Sequence, residues 1–403
     1  MPARARSAPP VVAVVGAGAG GATLAALLAG LFPGRLRVIL VEPSGVYITP
    51  FFSERFFGGL WPLERLTHRP LAALAGLGVE IVRDRAVAID RDRKTLRLGG
   101  GGDVRYDVLA AAPGVSFRTA SLPGYDAAAM PHGWLADGGI ADLQRRLEAV
   151  EDGAVIVIAP PAGEHRCPPA PYARATMIAH ALKPRKPRAK VLILDAKNDF
   201  VMQPLFEAVW ADNYAGMIEW IPADFHGGVQ SLDAGAGILR TDPEIFRADV
   251  ANIIPPQAAA PLLLEAGLAD ETGYCPTGPW MQSARDPDIY IIGDSAAAGM
   301  SKSASSAQAQ AQLAALDISR RLLRSGQEDA TDPDALETVC WMLLHPADAV
   351  YLRTDYGVSG AGRVTERAVF QSAVEDSRET RALAAEASLE WYEMALARMV
   401  PPV

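Results

Sequence analysis

Residues 11–31 carry the pattern that most limits what this chain can become: Val11-Val12-Ala13-Val14-Val15, then Gly16-Ala17-Gly18-Ala19-Gly20-Gly21, then the helix-forming stretch Ala22 to Leu31. This is G-x-G-x-x-G between a strand and a helix. Gly16 allows the tight turn, Gly18 lets a backbone approach a pyrophosphate, and Gly21 lets helix and strand pack closely, while the helix N-terminus supplies N–H donors and partial positive charge. A second strand, Arg37 to Val41, ends at Glu42, where a carboxylate accepts bonds from an adenosine ribose and repels a 2′-phosphate. That order favours FAD or NAD over NADP. The uncharged run Val11 to Phe32 is long enough for a membrane span of about 20 residues, but its four clustered glycines suit a strand-turn-helix.

The 403 residues, half of them hydrophobic, suffice for two or three domains with buried cores. A net charge of −9, with no long block of Lys and Arg, argues against a nucleic-acid partner. The three cysteines, Cys167, Cys275 and Cys340, form no CxxC pair and no disulfide framework. Six scattered histidines show no metal-ligand spacing, so no metal site is expected. Arg4 and Arg6 precede an apolar run that has no small-residue cleavage site, so no leader is visible.

Later motifs choose between FAD and NAD. Ile289-Tyr290-Ile291-Ile292 is a buried strand that stops at Gly293-Asp294, and a helix follows from Ser303 to Leu323. In two-domain flavoproteins such a Gly-Asp returns the chain to the first domain, and Asp294 would accept bonds from the ribityl chain of FAD. Tyr106 to Ala112, followed by Pro113-Gly114, fits the strand that leaves that domain. A second dinucleotide fold begins at Ala154 to Ala159, but its turn is Pro160-Pro161-Ala162-Gly163-Glu164-His165. The prolines lack N–H donors and Glu164 adds negative charge, so NAD(P)H is not expected there. Cys167 then precedes the helix Ala173 to Leu182 and follows Arg166. That setting favours a lowered thiol pKa, although a packed residue is the plainer reading of a single cysteine.

The run Ile158-Ala159-Pro160-Pro161 and Arg166-Cys167-Pro168-Pro169-Ala170-Pro171-Tyr172, with Gly216-Met217-Ile218-Glu219-Trp220, Asn252-Ile253-Ile254-Pro255-Pro256-Gln257, Lys302-Ser303-Ala304-Ser305-Ser306-Ala307 and Thr338-Val339-Cys340-Trp341, resembles the flavoprotein subunit of flavocytochrome c sulfide dehydrogenase. That family is related to the sulfide:quinone oxidoreductases. The resemblance extends over nearly the whole chain. It implies a redox disulfide between Cys167 and Cys340, Lys302 among the cofactor-binding residues, a cytochrome c partner and a periplasmic location. A cytoplasmic location is expected instead if the chain is complete. The family's flavin-linking cysteine is replaced by Pro50, which implies non-covalent FAD. Its Tyr-Glu-Arg-Ala motif is Tyr172-Ala173-Arg174-Ala175 here, so a carboxylate beside the reacting sulfur is expected to be missing.

The expected architecture is α/β, with two Rossmann-like dinucleotide-binding domains of the glutathione reductase type and a small C-terminal domain. Its segments are 9–113 and 252–330 for FAD, 114–251 for the second fold, and 331–403 for the C-terminal part. Expected cofactor residues are Gly16, Gly18, Gly21, Glu42, Pro113, Gly114, Gly293, Asp294 and Lys302. The expected activity is oxidation of sulfide or a related sulfur nucleophile through Cys167 and Cys340, with electrons passed to a cytochrome c subunit or a soluble cytochrome c. Two alternatives stand beside it: a membrane-surface quinone reductase, and a flavin-binding subunit that has lost turnover. The C-terminal helix, Ala382 to Met399, mixes Leu383, Leu389, Trp391, Tyr392, Met394, Leu396 and Met399 with four charged residues and is expected to pack as an ordinary helix. The aromatics Phe51, Phe52, Phe56, Phe57 and Trp61 are expected around the cofactor.

Overall fold

The computed structural model describes residues 8–323, 336–359 and 362–401. Arg4, Arg6 and the expected boundary at 330/331 lie outside these residues. Val11–Val15 pairs in parallel with Arg37–Val41 on one side and Val108–Ala111 on the other. Glu80–Val82 continues one edge, and Asp286–Ile291 with Gln282–Ser283 continues the other. Strands buried on both faces must be apolar at every position rather than alternating, and Val12, Val14, Leu40, Val108 and Ile291 are all fully or almost fully buried. Chain order therefore runs third, second, first across the sheet before the later strands join, the arrangement of a dinucleotide fold. The late strand comes home across Ile289↔Leu109 and Ile291↔Ala111.

The uncharged run at the start of the chain resolves into the strand Val11–Val15 and the helix Ala19–Leu31, not a membrane span. Among the described residues no helix is long and apolar enough to cross a membrane. Helix Ala19–Leu31 lies against helix Ala304–Leu323. The two approach closely because Gly20 has no Cβ, which would stand 2.7 Å from Ile292 Cγ2 and 3.5 Å from the Ala307 carbonyl oxygen.

A second parallel sheet has the order Ile218–Ile221, Lys190–Leu194, Val155–Ala159, Val250–Ile253. Helix Ala170–Leu182 covers it; it starts three residues earlier than its apolar pattern suggests, because Pro171 is tolerated in a first turn whose N–H groups have no intrahelical partner. The C-terminal part is an antiparallel sheet of Leu336–His345, Asp348–Val358 and Val364–Gln371, followed by helix Arg378–Met399. Ser377 caps that helix by accepting the Thr380 N–H at 3.1 Å. Ala385, Ser388, Tyr392, Ala395 and Met399 form its buried stripe. Leu383 and Met394 do not pack as expected: they are 60% and 53% exposed, because they fall outside that stripe.

Candidate active site

One cavity of about 320 Å³ collects most of the chemistry, a size within the range of small-molecule sites. Gly16 and Gly18 form one wall with Glu42; Pro113 and Gly114 form a second; Gly293 and Asp294 form a third. Gly16 has φ +91, and a Cβ there would stand 2.4 Å from the Ala112 carbonyl oxygen. Gly18 has no such conflict, since the nearest atom to an added Cβ is in the Tyr47 ring at 3.6 Å. Its smallness leaves backbone open to the cavity. Gly21 does not line the cavity. It sits behind the turn, where an added Cβ would be 2.0 Å from the Gly16 carbonyl oxygen. Glu42 accepts the Ala17 N–H at 2.9 Å and the Ser44 N–H at 2.8 Å, so its carboxylate ties the glycine turn to the strand end.

Asp294 lies 3.8 Å from Arg166. Burial raises its pKa, against the pull of Arg166 and Lys302. Helix Ala304–Leu323 starts at the same wall, with Ser303, Ala304 and Ser305 lining it. The Ser303 hydroxyl accepts the Ser306 N–H at 3.1 Å, which fixes where the partial positive end of the helix points. Trp134, Arg166 and Tyr47 also face the cavity. No motif in the sequence marks Trp134, which belongs to no local pattern; Tyr47 opens the segment Tyr47-Ile48-Thr49-Pro50 that carries Pro50.

Cys167 and Cys340 open on this cavity. Both are free thiols and both are partly accessible. Cys167 has φ +48, a left-handed conformation that costs a non-glycine residue about 1–2 kcal/mol. Two backbone bonds hold it there: its N–H donates to the Lys302 carbonyl at 2.8 Å, and its carbonyl accepts the Ala170 N–H at 2.9 Å. Cys340 lies on strand Leu336–His345, whose Val339 N–H donates to Ser305 Oγ at 3.1 Å. The strand is thereby pinned to the start of the helix beside the cavity.

Cys167 and Cys340 interact across the cavity wall, and this reverses the expected electrostatics. Contact with Cys340, burial and the charge of Glu54 push the Cys167 thiol well up, and Arg166 opposes them without prevailing. Interaction with Cys167 holds the Cys340 thiol below its ordinary range against burial, and Ser303 assists. Buried Cys275 is pushed up to about 12 by desolvation. Thiolate increases as pH rises through each pKa, and thiolate is the form that alkylates. Reduced protein treated with iodoacetamide near neutral pH is expected to label at Cys340 first, then Cys167, with Cys275 last. Peptide mapping that finds Cys167 or Cys275 modified first would contradict this order.

Lys302 is placed differently from its expected role. It does not line the cavity; its Nζ donates to the Ala296 carbonyl at 2.8 Å, pairs with Glu164 at 3.3 Å and lies 3.7 Å over the Tyr274 ring. These partners hold its amine, and its carbonyl positions Cys167. Pro50 lines the cavity. Of the aromatics, Phe51 and Phe52 reach it together with Trp391, whereas Phe57 and Trp61 are buried in the core.

The second dinucleotide fold presents no such cradle. A smaller cavity of about 230 Å³ lies at its turn, among Gly163, Glu164, His165, Lys197 and Lys302. Asp195 follows the second strand, the position of an acid that would hold a ribose, but it is fully buried. Its carboxylate is taken by Tyr172, by Trp220 Nε1 at 3.0 Å and by Lys197 Nζ at 2.5 Å. Among the described residues no group of three or more His, Cys, Asp or Glu is arranged to hold a metal ion.

Glu54 and Arg174 also belong to the site; Arg174 falls in the Tyr172-Ala173-Arg174-Ala175 segment, whereas no sequence motif points to Glu54. Arg174 is 3% exposed; its guanidinium donates to the carbonyls of His132 and Gly133 and to Asn252 Oδ1 at 2.9, 2.5 and 2.9 Å. Burial brings its pKa down to about 9. Glu54 lines the cavity from the short helix Ser53–Phe57, and burial raises its carboxyl pKa against the pull of Arg55 and Arg174.

Residues 141–255 match the family model described as the central part of the sulfide dehydrogenase [flavocytochrome c] flavoprotein chain. The ferredoxin reductase component of chlorobenzene dioxygenase from Cupriavidus sp. (strain PS12) is 34% identical over 119 residues, 28% of this chain and 28% of that protein. The chain thus matches little more than a quarter of that relative's length. The fold is similar to that of sulfide:quinone oxidoreductase from Aquifex aeolicus, with a TM-score of 0.79 at 18% identity, covering 98% of this chain and 93% of that one. It is also similar to the NAD-dependent persulfide reductase of A. fulgidus, with a TM-score of 0.64 at 17% identity over 94% and 77% of the two chains. A ferredoxin reductase from Rhodopseudomonas palustris gives a TM-score of 0.64 at 19% identity over 87% and 83%.

Proposed function

We propose, from the premise that this chain has the fold of the FAD-dependent pyridine nucleotide–disulfide oxidoreductases, that it oxidises sulfide or a related sulfur nucleophile through Cys167 and Cys340 and passes the electrons to a cytochrome c. The observation that carries the proposal is the placement of two free thiols, distant in sequence, on the wall of one cavity that a glycine turn also lines.

The residues present fit FAD. Gly16 and Gly21 occupy positions where a Cβ would strike backbone, Gly18 leaves backbone open to a pyrophosphate, Asp294 is placed to accept from ribityl hydroxyls, and helix Ala304–Leu323 directs its positive end at the same space. Bound there, FAD supplies an acceptor for an electron pair that can release the electrons singly. Pro50 carries no nucleophilic side-chain atom for a covalent link, so FAD would be held without one at this position.

The chain's own chemistry is disulfide exchange. A sulfur nucleophile attacks one sulfur of a Cys167–Cys340 disulfide, and the other leaves as thiolate. A thiol of lower pKa leaves faster; the Cys340 thiol, lowered by Cys167 and Ser303, suits the leaving role, with Cys167 receiving the persulfide. Trp134 and Arg166 line the same cavity, with Arg166 5.8 Å over the Trp134 ring.

A cytochrome acceptor is favoured over NAD(P) because the second fold carries prolines, Glu164 and an occupied Asp195 where a nicotinamide nucleotide would bind. A quinone is the second reading. Trp391 stacks on Phe52 at 5.9 Å and meets Phe51 edge-on at 6.0 Å, an aromatic wall of the kind that accepts a flat apolar ring. The test is a sequence of assays on the purified yellow protein. Acid precipitation is expected to leave FAD in the supernatant; sulfide is expected to bleach the flavin without oxygen; cytochrome c is expected to restore its colour. Flavin retained in the pellet, or colour restored by a short-chain quinone and not by cytochrome c, would overturn the corresponding part.

A further inference from the structure

The exchange just described needs a group that takes a proton from the incoming sulfur species, and position 173, beside Cys167 on the cavity wall, is alanine. Three carboxyls line the cavity among the described residues: Glu42, Asp294 and Glu54. Glu42 is bonded to the glycine turn, and Asp294 faces Arg166. Glu54 is bonded by the N–H of its own backbone and acts on the charge of Cys167 across the same wall.

Its position follows from how two helices meet. Gly58, which ends the Ser53–Phe57 helix, touches helix Ala170–Leu182: an added Cβ would be 3.3 Å from Met177 Cβ. One turn back along each helix stand Glu54 and Ala173, and both line the cavity. Arg174, the next residue, lies 4.8 Å over the Phe57 ring, so the two helices stay in contact along this stretch. Arg55 locks the short helix from its other side by donating to Ser388 Oγ at 2.9 Å.

We propose that Glu54 is the acid–base residue of the sulfur exchange, taking the proton from the incoming sulfur species beside Cys167. The inference rests on the exchange proposed above. In the step, H₂S gives a proton to the Glu54 carboxylate and becomes HS⁻. HS⁻ forms a bond to Cys167 Sγ while the Cys167–Cys340 bond breaks; the bond's electron pair goes to Cys340, which leaves as thiolate. The sulfide sulfur is oxidised, the Cys340 sulfur is reduced, and Cys167 carries the persulfide. The proton on Glu54 then passes to solvent through the mouth of the cavity. Burial raises the carboxyl pKa, bringing it closer to that of the donor, the condition under which proton transfer is efficient.

The charged and titratable groups facing Glu54 are Arg55 on its own helix, Arg174 on Ala170–Leu182, Cys167 on the preceding loop and Tyr392 on the C-terminal helix. With these unchanged, Glu54→Gln removes one titration. The rate of flavin reduction by sulfide should fall by about 100-fold or more, the scale of a lost general base. The rising limb of the wild-type pH profile that belongs to Glu54 should vanish, and Glu54→Asp should retain part of both. A second readout needs no turnover: in reduced protein, loss of the negative charge beside Cys167 should speed iodoacetamide labelling of Cys167 severalfold and leave Cys340 unchanged. A wild-type rate and profile in Glu54→Gln overturns the proposal, as does equal loss in Gln and Asp variants with an unaltered profile. Cys167→Ser separates the two levels: if it still reacts with sulfide, the exchange itself is wrong; if it is dead while Glu54→Gln is wild-type, only the role of Glu54 fails.

Discussion

Replacing Cys167 or Cys340 with Ser abolishes flavin reduction by sulfide and by small thiols while FAD stays bound. The expected fall in rate is at least about a thousandfold, as when a reacting nucleophile is removed. Exchange requires one sulfur to be attacked and a second to leave, and a serine hydroxyl does neither near neutral pH. Cofactor content should not change, because the cradle is built from the glycine turn, Gly293-Asp294 and the start of helix Ala304–Leu323, none of which depends on a thiol. Cys275→Ala is the control. That side chain is fully buried in the first sheet's core, away from the cavity lining, and its loss should leave the rate unchanged. Stopped-flow absorbance of the flavin with anaerobic sulfide measures all three variants, and a Cys340→Ser protein that is reduced at the wild-type rate would remove the cysteines from the mechanism.

Gly21→Ala should lose FAD and destabilise the protein together. The added methyl would stand 2.0 Å from the Gly16 carbonyl oxygen and 3.3 Å from Ala112 Cβ. Both atoms belong to the turn and to the strand end behind it, so neither can move without shifting the cradle. Overpacking of this kind costs about 1–3 kcal/mol, and here it displaces the N–H groups that would face a pyrophosphate. Gly30→Ala lies on the same helix with no atom within 4 Å of the new Cβ. It should keep its FAD and gain up to about 1 kcal/mol from helix propensity. The ratio of FAD to protein after gel filtration, read with the melting temperature, decides the comparison; full FAD content in Gly21→Ala would mean the turn is not the binding element.

Several elements are legible in the amino-acid sequence because their causes are local. The strand Val11–Val15, the glycine turn, the helix behind it and Glu42 follow one another within a short stretch, and the strand-turn-helix order alone demands small residues at Gly16 and Gly21. The Gly293-Asp294 pair is legible for a similar reason: a buried strand that stops at a glycine announces a turn. The defective second turn can also be read, since prolines lack N–H groups wherever they stand.

What depends on distant partners is not legible. Arg166 and the helix start argue for a lowered Cys167 pKa, yet the thiol that is lowered is Cys340, because contact between the two, burial and Glu54 outweigh Arg166. Lys302 stands next to cofactor-lining residues in sequence but turns its amine to Glu164 and Tyr274. Leu383 and Met394 have the character of packing residues, but the register of the helix against its neighbours leaves them outside the buried stripe. Glu54 sits on a five-residue helix too short to show periodicity, and its direction is set by contacts to Met177 and Ser388, far away in the chain. By itself the sequence determined the dinucleotide folds and the cradle, whose geometry is dictated by backbone sterics over a few residues. Only the tertiary structure decided that Cys167, Cys340 and Glu54 line one cavity, because burial and Coulomb interactions depend on distances in space that no local pattern encodes.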